Sequence, residues 1–228
     1  MDFIECLIEY GLTRQEATIY TLLLGHGAMT GYEVAKETGI SKSNVYSGLK
    51  GLAQKGAAVC EEREATRYIP VELESFCNNH LRYLGEVRGR LIKNQPRKAA
   101  ATEGYITIQG YRNIKNKIYE MLDKCEYRLY IMANHKVVSY FADAFSKLAQ
   151  AGKKIVILSD MNLSIDGASF YQLDSCDEQI RLVVDSGLVI TGVLGESEDD
   201  KCLYSGQETL VNLVKETIKS RMLLSDAQ

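Results

Sequence analysis

Residues 39–56, GISKSNVYSGLKGLAQKG, place Ser41, Lys42, Ser43, Asn44, Ser47 and Lys50 along one short stretch without a single acid. The chain as a whole carries a formal charge of -3, so this local exclusion is specific. Hydroxyl, amide and ammonium groups are the donors that meet base edges and phosphate oxygens, and an acid among them would face phosphate charge. Arg63 and Arg67 follow as further cations that would hold a nucleic-acid backbone beside that stretch. A second set lies further on: Asn134 and His135 after one apolar run, Ser159 and Asp160 after another, and Asp185 in a polar turn. No metal site is expected. Cys6, Cys60, Cys77, Cys125, Cys176 and Cys202 are scattered without a CxxC pair, and zinc needs clustered ligands. They read as buried free thiols in a reducing cytoplasm, and no cofactor is implied.

The elements that position the first set are legible from periodicity. In TRQEATIYTLLLGHG, Thr13 and Glu16 have capping-box spacing. Ala17, Tyr20, Leu23 and Leu24 share one helical face before Gly25 and Gly27. Thr30 can cap a short second helix ending at Gly39, and Ser41 a third running to about Lys55. AAVCEE and TRYIPV then alternate as a two-stranded ribbon. Three helices and a ribbon make a winged helix-turn-helix, whose third helix enters the DNA major groove. The exclusion of acids follows from that placement. Glu61, Glu62 and Glu64 make the wing acidic, which leaves the groove helix to dominate contact.

At this point the segment GLTRQEATIYTLLLGHGAMTGYEVAKETGISKSNVYSGLKGLAQKGAAV resembles the head of the TrmB family of transcriptional regulators. The likeness rests on the GLT..EA.IY.LLL opening, on the recognition segment with Tyr46, and on RYIPVELESF, over about the first 80 residues. It implies that Thr30, Ser41, Lys42, Ser43, Asn44, Tyr46, Ser47, Lys50, Arg63 and Arg67 face double-stranded DNA. KGAAVC departs from the pattern, with alanine where the family has a bulkier apolar residue.

Residues 71–100 carry a net charge of +3 and a heptad-like row, Leu73, Cys77, His80, Leu84, Val87 and Leu91, which favours pairing of helices in a homodimer. The stretch NQPRKAAATEG then reads as a hinge. From 101 to 228 strand and helix alternate, so a mixed, largely parallel sheet covered by helices is expected. HKVVSYFADAFSKLAQAG reads as a single helix, and the segment from LYSGQETL as the closing one. This body resembles the phospholipase D-like half-domain of TrmB-type regulators, over roughly 103–223. Phosphodiesterases of that fold use His-x-Lys and a downstream Asp. Here His135 and Lys136 are adjacent, and neighbours on a helix point about 100 degrees apart, so no enzymatic activity is expected. Ligands of open sheets bind beyond the carboxyl ends of the strands, which nominates Asn134, His135, Ser159, Asp160 and Asp185 as an effector site. The longer family members carry an additional sugar-binding region, and that property is not carried over.

The sequence therefore specifies an α/β chain with a helical, ribboned head. Residues 1–70 are expected to form the winged helix-turn-helix, 71–100 a connecting and dimerisation helix, and 101–228 an α/β effector or dimerisation domain. The function expected is that of a cytoplasmic, homodimeric, sequence-specific transcriptional regulator under small-molecule control. The opening MDFIECLIEYGL lacks the basic start of a secretory signal, and no run is long enough to span a membrane. The competing readings are a phospholipase D-like phosphodiesterase and a protein-interaction module whose winged helix never meets DNA.

Overall fold

The computed structural model describes residues 2–61, 65–96 and 104–225. The chain divides into two compact units, Met1–Lys98 and Ala99–Gln228, each with its own apolar core. The stretch expected as a hinge lies largely in residues 97–103, outside the described residues.

The first unit runs α1 (Phe3–Glu9), α2 (Arg14–His26), β1 (Met29–Thr30), α3 (Gly31–Thr38), α4 (Lys42–Gln54), β2 (Ala58–Glu61), β3 (Arg67–Pro70) and α5 (Leu73–Lys93). The expected capping box starts α2: Thr13 Oγ1 accepts from the Glu16 N–H at 3.2 Å, and the Glu16 carboxylate accepts from the Thr13 N–H at 2.7 Å. A second box, Thr30 with Glu33, starts α3, and Gly39 at φ 70 ends it in the left-handed conformation. Ala17, Ile19, Tyr20 and Leu23 of α2 meet Val34 of α3 and Val45, Leu49 and Leu52 of α4 in the core. Helix α4 carries interior glycines, each of which costs a helix about 1 kcal/mol relative to alanine. Their reason is steric. A Cβ at Gly48 would stand 2.7 Å from Ile19 Cδ1, and one at Gly51 2.1 Å from Glu16 Oε1. Only bare backbone lets α4 lie this close to α2. The ribbon forms as expected, and β1 adds a third strand in the order β1-β3-β2.

Helix α5 begins as part of this unit. Phe76 is 1% exposed, with its ring edge-on to Tyr10 and Tyr20 at 5.8 and 5.5 Å. The Tyr10 hydroxyl donates to the Cys77 carbonyl, and the Tyr20 hydroxyl to the Val71 carbonyl. Leu73 and Cys77 pack against the same core, and His80 lies beside Tyr10 at 5.3 Å. The expected apolar row is thus divided. Its first half closes the head, and Leu84 and Leu91 remain exposed.

The second unit runs β4 (Ile106–Gln109), α6 (Tyr111–Asp123), β5 (Arg128–Met132), α7 (His135–Tyr140), α8 (Ala142–Gln150), β6 (Lys154–Ser159), β7 (Ala168–Gln172), β8 (Gln179–Val184), β9 (Leu188–Val193), β10 (Lys201–Ser205) and α9 (Glu208–Ser225). Its seven-stranded sheet has the order β4-β10-β9-β8-β5-β6-β7. The α/β class holds, but the sheet is not largely parallel. Only β5-β6 and β6-β7 run parallel, and the other neighbours are antiparallel. Short turns such as the one after Val184 can join only antiparallel strands, so the hairpin β8-β9 imposes its sense on that half. The single helix expected over 135–152 is broken at Phe141, whose φ of -100 and ψ of 6 leave the helical range and re-aim α8. Alternation along the strands splits the apolar residues between two faces. Leu129 and Ile131 of β5 join α6, α7 and α8 in one core, and Met132 joins Val183, Val211 and Ile218 on the α9 side.

Candidate nucleic-acid interface and body cavity

The buried face of α4 is Val45, Gly48, Leu49 and Leu52, and the opposite face carries the expected polar set. Ser41, Lys42, Ser43, Asn44, Tyr46, Ser47 and Lys50 are all exposed. Ser41 also caps the helix, accepting from the Asn44 N–H at 3.4 Å. Among the described residues, neither Lys42 nor Lys50 has an ion-pair partner, so both charges are available to a polyanion. The N-terminus of α4 adds free N–H groups and the positive end of the helix dipole beside Ser41 to Asn44.

The remaining residues expected at the interface divide. Thr30 is spent on its capping box: Oγ1 accepts from the Glu33 N–H and lies 3.0 Å from the Glu33 carboxylate. Arg67 is exposed, with Nη2 3.7 Å from Glu33 Oε1. The two Thr30 hydrogen bonds, with Arg67 nearby, hold the Glu33 carboxyl below its usual range. Arg63 lies outside the described residues, as do Glu62 and Glu64. The Tyr46 ring is half exposed and lies over Gly31, where a Cβ would stand 2.6 Å from Cε1. One exposed neighbour of α4 escaped sequence reasoning. Tyr32 at the start of α3 is 60% exposed, and Lys42 Nζ sits 5.0 Å from its ring centroid. An exposed tyrosine has no periodic signal, so only the fold reveals it beside α4.

In the second unit Asn134, His135 and Asp160 converge on a cavity of about 220 Å³ at the carboxyl ends of β5 and β6. Asn134 caps α7, its Oδ1 accepting from the Val137 N–H at 3.0 Å. Asp160 Oδ1 accepts from the His135 backbone N–H at 2.7 Å, and Oδ2 lies 3.4 Å from His135 Nδ1. Burial pushes the Asp160 carboxyl up, but these bonds outweigh it and leave its pKa lowered. Lys136 lines the same cavity, so the two neighbours on α7 do open on a common space despite their spacing. Tyr111, Tyr140, Cys176, Glu178 and Glu196 complete much of the wall. They come from separate segments, and no local spacing announces them.

Two expected effector residues are not in that wall. Ser159 is fully buried, and its hydroxyl donates to Asp160 Oδ1 at 3.1 Å. Asp185 stands at the other end of the sheet, because β8 runs antiparallel to β5. There its carboxylate accepts from the backbone N–H groups of Glu126, Tyr127 and Arg128 at 2.7 to 2.8 Å. It is a structural clasp between the β8-β9 turn and the entry to β5.

Residues 7–74 match the family model described as "Sugar-specific transcriptional regulator TrmB", which bears out the expected resemblance over the head. The Bacillus subtilis protein YrhO is 22% identical over 228 residues, covering 95% of this chain and 83% of its own. The HTH-type sugar sensing transcriptional regulator TrmBL1 of Pyrococcus furiosus is 25% identical over 158 residues, 64% of this chain. The match spans only 44% of that relative's length. Among solved structures, TrmBL2, described as an archaeal chromatin protein, is similar with a TM-score of 0.46 and 20% identity, covering 96% of each chain. Nuc of Salmonella typhimurium, a phospholipase D family member, is similar with a TM-score of 0.39 and 12% identity, covering 52% of this chain and 94% of that one. No described helix is long and apolar enough to cross a membrane.

Proposed function

We propose that the chain is a homodimeric, cytoplasmic transcriptional regulator that places α4 in the major groove of double-stranded DNA. The observation that carries this is the outer face of α4, exposed, acid-free and bearing Lys42 and Lys50, neither of which has an ion-pair partner among the described residues. The match of residues 7–74 to a family of transcriptional regulators supports the same reading. In it Lys42, Lys50, Arg63 and Arg67 hold phosphates, and Ser43, Asn44 and Ser47 meet base edges. Homodimerisation is supported by Leu84 and Leu91 on α5, which are 44% and 67% exposed. Two heads related by a two-fold axis would engage half-sites roughly 34 Å apart, or a multiple of that. The cavity at Asn134, His135 and Asp160 is the place proposed for an effector. Such a ligand controls DNA binding only by favouring one arrangement of the protein over another.

The test is selection of genomic fragments bound at physiological salt, followed by gel shifts across a salt series. Affinity is expected to fall steeply as salt rises, because bound phosphates release counterions. Retention of no fragment, or binding indifferent to salt, overturns the reading.

One observation favours a second reading. His135, held at Nδ1 by Asp160, opens on the same cavity as Lys136, and these are the groups a phosphodiesterase of the resembling fold would use. Cleavage of nucleic acid or phospholipid that His135→Ala abolishes would establish it, and cleavage insensitive to that substitution would dismiss it.

A further inference from the structure

We propose that a second cavity of the body, on the α9 side of the sheet, binds the phosphoryl group of a small phosphate monoester. The cavity measures about 210 Å³ and is walled by Arg181 of β8, Arg221 of α9 and Ser175 of the loop between β7 and β8. Alternation along β8 explains why Arg181 is there. Ile180 and Leu182 enter the core under α6 to α8, so Arg181 projects to the other face, opposite Met132 in register. Arg221 comes to the same space from the last turns of α9.

Among the described residues neither guanidinium has an ion-pair partner. Arg181 Nη2 donates to Gln179 Oε1, which orients its fork and leaves other N–H groups free. The wall holds one carboxylate, Asp177, whose Oδ1 accepts from the Gln179 N–H at 3.0 Å, against the two guanidiniums. A guanidinium offers parallel N–H groups that match two oxygens of an oxyanion. One fork satisfies a carboxylate. Two forks from separate elements, with the Ser175 hydroxyl, suit the three terminal oxygens and double charge of a phosphoryl group. A neighbouring depression of about 440 Å³ shares Leu173, Ser175 and Arg221, and gives the rest of the ester room. The cavity at His135 suits the same ligand less. Lys136 lines it beside three carboxylates, Asp160, Glu178 and Glu196, whose combined charge disfavours a dianion. Cys176 lines both spaces and so stands in the partition between them.

Calorimetric titration of the full chain with glycerol 3-phosphate tests this, with glycerol and malate as comparisons. Saturable binding of the phosphate ester is expected, with malate weaker and glycerol silent. Arg181→Gln and Arg221→Gln should each weaken it about tenfold or more, the loss of a charge-assisted pair. Arg221→Lys, which keeps the charge and loses the fork, should fall between. Lys219→Gln removes an equal charge from exposed α9 surface, where it pairs with Glu216, and should change affinity by no more than about twofold, because solvent screens it. Thermal melts establish that each variant is folded. Absence of saturation, malate binding as tightly as the ester, or equal losses from Lys219→Gln and Arg221→Gln would overturn the proposal. The measurement involves no DNA, so its outcome is independent of the head's function.

Discussion

Asp185 gives up its conformational comfort for three hydrogen bonds. It sits at φ 50, a region that L-residues other than asparagine and aspartate rarely enter. Burial pushes its carboxyl up, but the backbone N–H groups of Glu126, Arg128 and Tyr127 outweigh that and hold it below the ordinary value of 3.8. A carboxyl lowered by folding stabilises the protein above its unfolded value, and that contribution is lost as pH falls through the folded one. Asp185→Asn, which keeps a single acceptor, should cost about 1–3 kcal/mol near neutral pH. The difference from the parent should shrink as solutions are made acid, which urea unfolding at two pH values would measure. Gly48 makes the opposite point about helix propensity. Gly48→Ala would improve an isolated helix by about 1 kcal/mol, yet the new methyl must displace Ile19. A lower melting temperature is expected, and a higher one would refute the close approach of α4 to α2.

At the scale of elements, α4 and α5 carry the functional expectations. Removing a phosphate contact weakens binding evenly across sequences, so Lys50→Ala should lower affinity for every fragment and reduce the salt slope by about 1. Asn44→Ala should instead shift the preferred sequence, as a selection on the variant would reveal. On α5, Leu84→Asp and Leu91→Asp each put a charge on the exposed apolar row, and sedimentation should then report a larger share of monomer. Helices α2 to α4 were legible because each combines a cap, a 3.6-residue apolar period and a glycine stop. Strands β7 and β10 were not. β7 is the short ASFYQ, and β10 follows directly on Glu198, Asp199 and Asp200, where nothing resembles an alternating run. The row on α5 was visible, but not its division, since Phe76 lies off that row and decides where the head ends.

For the whole molecule, the exposed polar face of α4 could be read early because its residues lie within ten positions of one another. The body cavity could be read only in part: Asn134, His135 and Asp160 follow the ends of strands, but Tyr111, Glu178 and Glu196 join them only after β8 and β9 fold back on β5. Asp185 was misplaced for the same reason: a polar turn looks alike at either end of a sheet, and only strand register tells which end it occupies. The full chain should therefore respond to lesions by unit. Gly48→Ala should broaden the melting of Met1–Lys98, and Asp185→Asn that of Ala99–Gln228, as hydrogen exchange would resolve.

The position of Phe76 has a practical corollary for anyone excising the N-terminal unit from this protein. Its ring stands between Tyr10 and Tyr20, like a stopper in the floor of the three-helix cluster. A polypeptide cut after Pro70 would leave that hole open and should be recovered as a loose, dye-binding species. Extending the cut past His80 should restore a sharply melting fragment competent for DNA.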